Sequence, residues 1–176
     1  MFLACGLAVL APGTVFAQPA GPRPSNNPRL DLGLVVAAHG ADIEITLTLR
    51  LPGETPIGKA EAEIRFPKRQ MSYTGARPAP KGLKVDVQPQ PEEGEDAVLK
   101  VVAEGIDGPI PAGPLTTMVF RVAEDATETV KIELPLEAHL WAHPDTSREI
   151  TPVDTRAGRV TIQDIETFYA CFFYMH

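Results

Sequence analysis

A run of strictly alternating apolar and polar residues at 43–51 places the strongest constraint on the fold. The apolar members are Ile43, Ile45, Leu47, Leu49 and Leu51, and the polar members are Glu44, Thr46, Thr48 and Arg50. Successive side chains of a β-strand point to opposite sides, so this pattern predicts a strand with one face in the core and one in water. Pro52 and Gly53 end the strand.

The same period of two recurs along the chain, with turn residues between the runs. The further runs lie at 30–38, 60–66, 83–87, 97–103, 115–122, 130–140, 151–153 and 160–162, and a short element lies at 70–73. Pro135 interrupts one run and indicates a bulge or an edge. About nine short strands of this kind predict an all-β fold, a two-sheet sandwich with jelly-roll topology.

A loop rich in glycine and proline precedes the strand at 115–122. Six of the ten residues at 105–114 are Gly or Pro. Glycine allows positive φ angles and proline fixes φ and lacks an amide donor, so this segment cannot be helical. It predicts an ordered, turn-rich entry into a core strand.

The two ends of the chain differ from this central domain at 29–162. Residues 1–17 are mostly apolar and finish in Val15-Phe16-Ala17, which is typical of a secretory signal and its cleavage site. A buried N-terminal strand or helix and a lipid-anchor motif at Cys5 are the alternatives. A proline-rich spacer at 18–28 follows. We therefore expect a secreted, extracellular or cell-surface protein, in which Cys171 is the only remaining cysteine and cannot form an intramolecular disulfide.

An aromatic tail at 163–176 ends the chain. Its apolar residues follow a helical spacing, and five aromatic residues fall within 168–174. So apolar a segment should not stay exposed to water. Three explanations stand: the tail docks on the sandwich, it contacts a partner or a membrane surface, or it is a truncated or frame-shifted end.

Composition and motifs exclude several classes of function. The net charge of −7 argues against a nucleic-acid partner, and the longest apolar run is shorter than the ~20 residues of a membrane span. None of the serines stands in a nucleophile elbow. The histidines at 139 and 143 do not share a helical face, and the acidic residues at 92–96 lack a calcium-loop pattern. Glu61 and Glu63 occupy polar positions of the alternating run at 60–66, which indicates a sheet face exposed to water rather than a catalytic pair. We expect no catalytic residue, no metal and no cofactor.

Few aromatic residues are available to contact a ligand. Between 29 and 162 these are Phe66, Tyr73, Phe120 and Trp141. Phe66 and Phe120 fall in the apolar phase of their strands and are predicted core residues. If Leu140 and the apolar residues in its phase point inward, Trp141 points outward beside His139. The candidate binding residues are therefore Trp141, Tyr73 and His139.

Four segments together resemble the cohesin domain family. They are the turn Gly40-Ala41-Asp42 with its flanking strands, the strand that ends at Phe66-Pro67, the 105–122 segment, and the closing Ala-Gly-Arg-Val-Thr-Ile at 157–162. The resemblance covers about residues 30–162. It implies an extracellular, non-catalytic β-sandwich that binds a dockerin-bearing protein, a calcium-loaded helical module, in polysaccharide-degrading assemblies.

Two other functions remain open. One is a carbohydrate-binding module acting on a polysaccharide, which would need Trp141 and Tyr73 as an exposed coplanar pair. The other is a structural cell-surface or assembly domain whose aromatic tail docks elsewhere.

Overall fold

The computed structural model describes residues 25–53, 55–91, 94–126 and 131–163. The predicted signal segment at 1–17, most of the spacer, Glu92, Glu93, Val130 and the tail from 164 onward lie outside these residues. The described part contains thirteen strands. They are β1 (Arg29–Leu32), β2 (Leu34–Ala37), β3 (Asp42–Arg50), β4 (Ile57–Pro67), β5 (Met71–Ala76), β6 (Leu83–Pro89), β7 (Asp96–Gly105), β8 (Gly113–Val122), β9 (Lys131–Leu134), β10 (Leu136–Ala142), β11 (Glu149–Ile150), β12 (Asp154–Arg156) and β13 (Gly158–Ile162).

The strands form two five-stranded sheets and one three-stranded sheet. The first sheet has the order β12-β1-β3-β8-β5, the second has β11-β10-β4-β7-β6, and the third has β2-β13-β9. Most pairs are antiparallel, whereas β12 runs parallel to β1 and β13 runs parallel to β2. The all-β class and the sandwich are confirmed, and the number of strands is thirteen rather than about nine.

Two predicted strands are each divided between two sheets. The run at 30–38 breaks at Gly33, whose amide donates to the Thr46 carbonyl of β3 while its own carbonyl accepts from Arg159 of β13. The run at 130–140 breaks at Pro135, which has no amide to donate and whose carbonyl accepts from Arg65 of β4. The chain changes hydrogen-bonding neighbours at both points, so each run becomes two strands.

The core lies between the facing sides of the sheets. Its buried residues are the apolar members of the alternating runs in the sequence. Ile45, Leu47 and Leu49 of β3 are almost fully buried, as predicted for that face. Phe66 of β4 and Phe120 of β8 meet across the sheets edge to face, with ring centroids 5.2 Å apart. The prediction that both phenylalanines belong to the core is confirmed.

Candidate binding face

The position of Trp141 follows from the burial pattern of β10. Leu136, Leu140 and Ala142 are buried, so the residues that alternate with them, Glu137, His139 and Trp141, point away from the core. This is the orientation that the sequence predicted for Trp141 and His139. Trp141 is half-buried, because its neighbours on the sheet surround the indole ring.

Two side chains lie close to the indole ring of Trp141. The Lys59 ammonium group lies 4.9 Å from the ring centroid of Trp141, within the range of a cation–π contact. The His139 ring lies on the same strand with its centroid 6.1 Å from that of Trp141, and the rings are inclined by 32°. His139 Nδ1 in turn lies 2.7 Å from Glu149 Oε1 on β11. These contacts fix the orientation of the ring.

Strand register places outward residues of four strands in rows across the second sheet. The row of Trp141 continues through Lys59 and Glu104 to Lys84, and the row of His139 continues through Glu61 and Val102 to Asp86. We call the surface formed by the outward residues of β10, β4, β7 and β6 the outer face. Its members are Glu137, His139, Trp141, Lys59, Glu61, Glu63, Arg65, Val98, Lys100, Val102, Glu104, Lys84, Asp86 and Gln88.

A chain of charges crosses the middle of the outer face. Glu61 Oε1 lies 2.6 Å from Lys59 Nζ, and Glu61 Oε2 lies 2.9 Å from Lys100 Nζ. Hydrogen bonds from both ammonium groups lower the pKa of Glu61, and the carboxylate in turn raises the pKa of Lys100. The Glu61 side chain is only 20% exposed, so the bridge is held against the sheet. Lys59 thus joins this bridge to Trp141.

The periphery of the outer face is polar and open to water. Arg65 Nη2 lies 3.3 Å from Glu137 Oε1, and Lys84 Nζ lies 3.8 Å from Glu104 Oε2. Val98 and Val102 of the central strand β7 are half-buried among the longer side chains. The face therefore has an ordered centre with apolar surface and a rim of exposed ion pairs.

Tyr73 does not join Trp141 and His139. It lies on β5 of the first sheet, where its ring packs on the core residue Phe120 with centroids 5.8 Å apart. Burial and the nearby charge of Asp86 raise the pKa of its hydroxyl. The coplanar pair of Tyr73 and Trp141 that carbohydrate binding would need is thus not formed. The buried residue Met71, two positions earlier, already indicates the inward phase of Tyr73.

The described residues contain neither a metal-binding cluster nor a helix that could span a membrane. Across 25–163, apart from the undescribed positions, no group of three or more His, Cys, Asp or Glu side chains comes together as a metal site. No helix in the same part of the chain is long and apolar enough to cross a membrane.

Comparison with solved structures identifies the fold. No family model and no curated protein matches the sequence. A non-cellulosomal cohesin from the archaeon Archaeoglobus fulgidus has 20% identity and a TM-score of 0.60, over 85% of this chain and 99% of that one. The seventh ScaB type I cohesin from Pseudobacteroides cellulosolvens has 11% identity and a TM-score of 0.64, over 78% and 93%.

A further match comes from a type I cohesin–dockerin complex of Clostridium thermocellum. It has 19% identity and a TM-score of 0.61, over 78% of this chain and 99% of that one. The domain is therefore a β-sandwich of the cohesin fold, as the sequence resemblance predicted. At these identities the likeness concerns the fold, and the binding activity has to be argued from the residues of this chain.

Sequence reasoning missed the ion pairs of the outer face. Glu61 was interpreted as part of a wet sheet face, but two lysines hold it in place. The spacing of Lys59 and Glu61, two residues apart on one strand face, could have indicated their proximity. The contribution of Lys100 depends on the register between β4 and β7, which the sequence alone does not define.

Proposed function

We propose that this protein is a secreted, non-catalytic module that binds another protein, of the dockerin type, through the outer face. The observation that carries the proposal is Trp141, the only tryptophan of the chain, which lies on the outward side of β10 in contact with Lys59 and His139. Tryptophan is strongly enriched among the residues that dominate the energy of protein interfaces.

The restricted side chains at the centre of the outer face support this proposal. A partner that docks on mobile lysine and glutamate side chains loses affinity, because each immobilised side chain costs about 0.5–1.5 kcal/mol. Lys59, Glu61 and Lys100 already hold each other in place. The centre of the face can therefore be covered at a lower cost in side-chain entropy.

The shape of the face suits contact with a protein better than chemistry on a substrate. The central carboxylate of the face, Glu61, forms ion pairs with two lysines. These lower the pKa of Glu61, so the carboxylate stays ionised. A general acid or base needs a pKa near the working pH. The rim pairs Arg65–Glu137 and Lys84–Glu104 remain in water, as is usual at the edge of a protein interface.

Secretion and the identity of the partner rest on other observations. The apolar segment at 1–17 with its small-residue cleavage site supports export. The dockerin-type partner is supported by the cohesin fold and by the solved complex, which contains a dockerin. Assembly of polysaccharide-degrading proteins outside the cell would follow from both.

The proposal is tested by titrating the protein with dockerin modules of its own organism, with and without a calcium chelator. We expect calcium-dependent binding that Trp141→Ala weakens about 30-fold, the equivalent of about 2 kcal/mol at an interface hot spot. Val119→Ala, on the outward side of β8 in the first sheet, is the matched control and should leave the affinity unchanged.

Two results would overturn the proposal. One is equal loss of affinity for both variants, since the contact surface would then not be the outer face. The other is retention on insoluble polysaccharide without binding to any dockerin, which would favour the carbohydrate-binding alternative.

A further inference from the structure

Two large apolar side chains on β2 point into water. Leu34 is 58% exposed and Val36 is 65% exposed, and only one other large apolar residue among the described ones, Ile106, is comparably open. They stand two positions apart on the same side of the strand, so their side chains are adjacent. We call Leu34 and Val36 the apolar strip.

The surroundings of the apolar strip are polar. On the neighbouring strand β13, Arg159 lies opposite Leu34 and Thr161 lies opposite Val36. Beyond them, Lys131 of β9 lies opposite Thr161. β2 is at the edge of its sheet, so the strip has this sheet face on one side only. Exposed apolar residues that stand together in this way indicate a contact with another segment or molecule.

The chain leaves the described domain beside the apolar strip. Gln163 directly follows β13, and its amide donates to the carbonyl of Ala37, the last residue of β2, at 2.9 Å. Gln163 is the next outward position after Arg159 and Thr161. Gln163 therefore lies within about 10 Å of Val36, since two strand residues span roughly 7 Å.

The residues that follow Gln163 in the sequence are largely apolar, as expected for a segment that covers apolar side chains. The tail at 164–176 is Asp-Ile-Glu-Thr-Phe-Tyr-Ala-Cys-Phe-Phe-Tyr-Met-His. Its first three residues include two acidic ones, Asp164 and Glu166, and apolar and aromatic residues follow. From Gln163 to Phe168 the chain reaches about 7 Å as a helix and about 17 Å when extended. The extended length is enough to return to the strip.

We propose that the tail at 164–176 folds back over β2 and β13 and covers the apolar strip with its aromatic side chains. A second copy of the protein and a membrane surface are the competing occupants. The tail is favoured because it starts at the strip and is covalently held there, at an effective concentration in the millimolar range. This inference is independent of partner binding on the outer face.

Cysteine proximity provides a direct test, because Cys171 lies in the tail. In a Cys5→Ser background, Val36→Cys is compared with Ile106→Cys, which is equally exposed but follows β7 and bonds to Gly82. Both sites face water, so both variants should fold. Under mild oxidation we expect an intramolecular disulfide with Cys171 at least tenfold faster for Val36→Cys. Equal rates at the two sites would overturn the proposal, as would disulfide-linked dimers through Val36→Cys.

A second measurement separates covering of the strip from mere proximity. Removal of residues 164–176 should expose the strip and increase the fluorescence of the apolar dye ANS several-fold. The increase should disappear when the deletion is combined with Leu34→Ser and Val36→Ser. An unchanged dye signal on deletion would contradict the proposal. So would tail-dependent sedimentation of the full chain with phosphatidylcholine–phosphatidylglycerol vesicles, since the tail would then be free to enter a membrane surface.

Discussion

Replacement of Gly105 by alanine should damage the fold more than any other single added methyl group in the 105–114 loop. A Cβ atom at Gly105 would lie 2.0 Å from the carbonyl oxygen of Gly108 and 3.1 Å from its carbonyl carbon. Both atoms are backbone, so no side-chain rotation relieves the overlap. The loop has to move by on the order of 1 Å before the contact becomes tolerable.

Two anchors resist that movement. The Ile106 amide donates to the Gly82 carbonyl at 3.0 Å, and the Ile110 amide donates to the Ile57 carbonyl at 2.6 Å. Ile110 is 1% exposed, so a displaced loop also withdraws an apolar side chain from the core. Overpacking of a fixed site costs about 1–3 kcal/mol, and partial loss of one backbone hydrogen bond adds about 1 kcal/mol. We expect the free energy of unfolding to fall by about 2–4 kcal/mol.

Urea denaturation followed by far-UV circular dichroism measures this loss, and thermal unfolding should show a decrease in Tm of about 6–16 °C for a domain of this size. Gly108→Ala is the matched control, because nothing lies within 4 Å of its added Cβ. It should change the free energy of unfolding by less than about 0.5 kcal/mol. If the two variants were equally stable, the steric argument would be refuted.

Two further predictions concern the outer face and the core. Glu61→Gln should lower the free energy of unfolding by about 1 kcal/mol at neutral pH, because two partly exposed lysines lose their shared carboxylate. Since folding lowers the pKa of Glu61, this difference should be complete above the ordinary carboxyl value and vanish as pH falls through the lowered pKa, which urea titrations from pH 7 to pH 3 would detect. Phe120→Ala should cost about 3–5 kcal/mol, because both Phe66 and Tyr73 lose an aromatic contact, whereas Val119→Ala on the outward side should cost less than about 1 kcal/mol. Equal urea midpoints for these two variants would contradict the finding that Phe120 points into the core and Val119 points away from it.

The period of two in the sequence predicted most of the strands and which side of each is buried. It did so because alternation reports the two faces of a strand directly, as for Ile45 and Leu47. It could not predict the divisions at Gly33 and Pro135. At Pro135 the alternation continues, since Leu134 and Leu136 are both buried, while the hydrogen-bonding neighbour changes. At Gly33 the buried side changes as well, because Leu32 is buried whereas Leu34 is exposed. Only the tertiary arrangement defines these changes of neighbour and of buried side.

The candidate site was predicted in part for the same reason. The outward direction of Trp141 and His139 follows from the phase of one strand, which the sequence contains. The bridge from Lys59 through Glu61 to Lys100 depends on the register between two strands, and a shift by one residue would remove it. Tyr73 is a candidate in the sequence only because the other aromatic residues of its sheet and of β4 fall in the apolar phase. Met71, two positions earlier on β5, is buried and shows that Tyr73 lies on the inward side.

The contrast between the two sheets supports the proposal that a partner contacts the outer face of the second sheet. On the first sheet, the outward residues at the centre of β3 and β8 include Thr46 and Thr117, whose hydroxyls lie 3.0 Å apart, and the outward side of both strands carries no aromatic ring. The outward side of these two strands carries only Val119 and Pro114 as apolar side chains, so it offers less apolar area to a partner than a face with an indole ring. The second sheet presents Trp141, Val98 and Val102 among side chains already held by ion pairs. Apolar area supplies most of the favourable free energy of association, and preorganisation lowers its entropic cost. A partner protein should therefore bind the second sheet more tightly than the first.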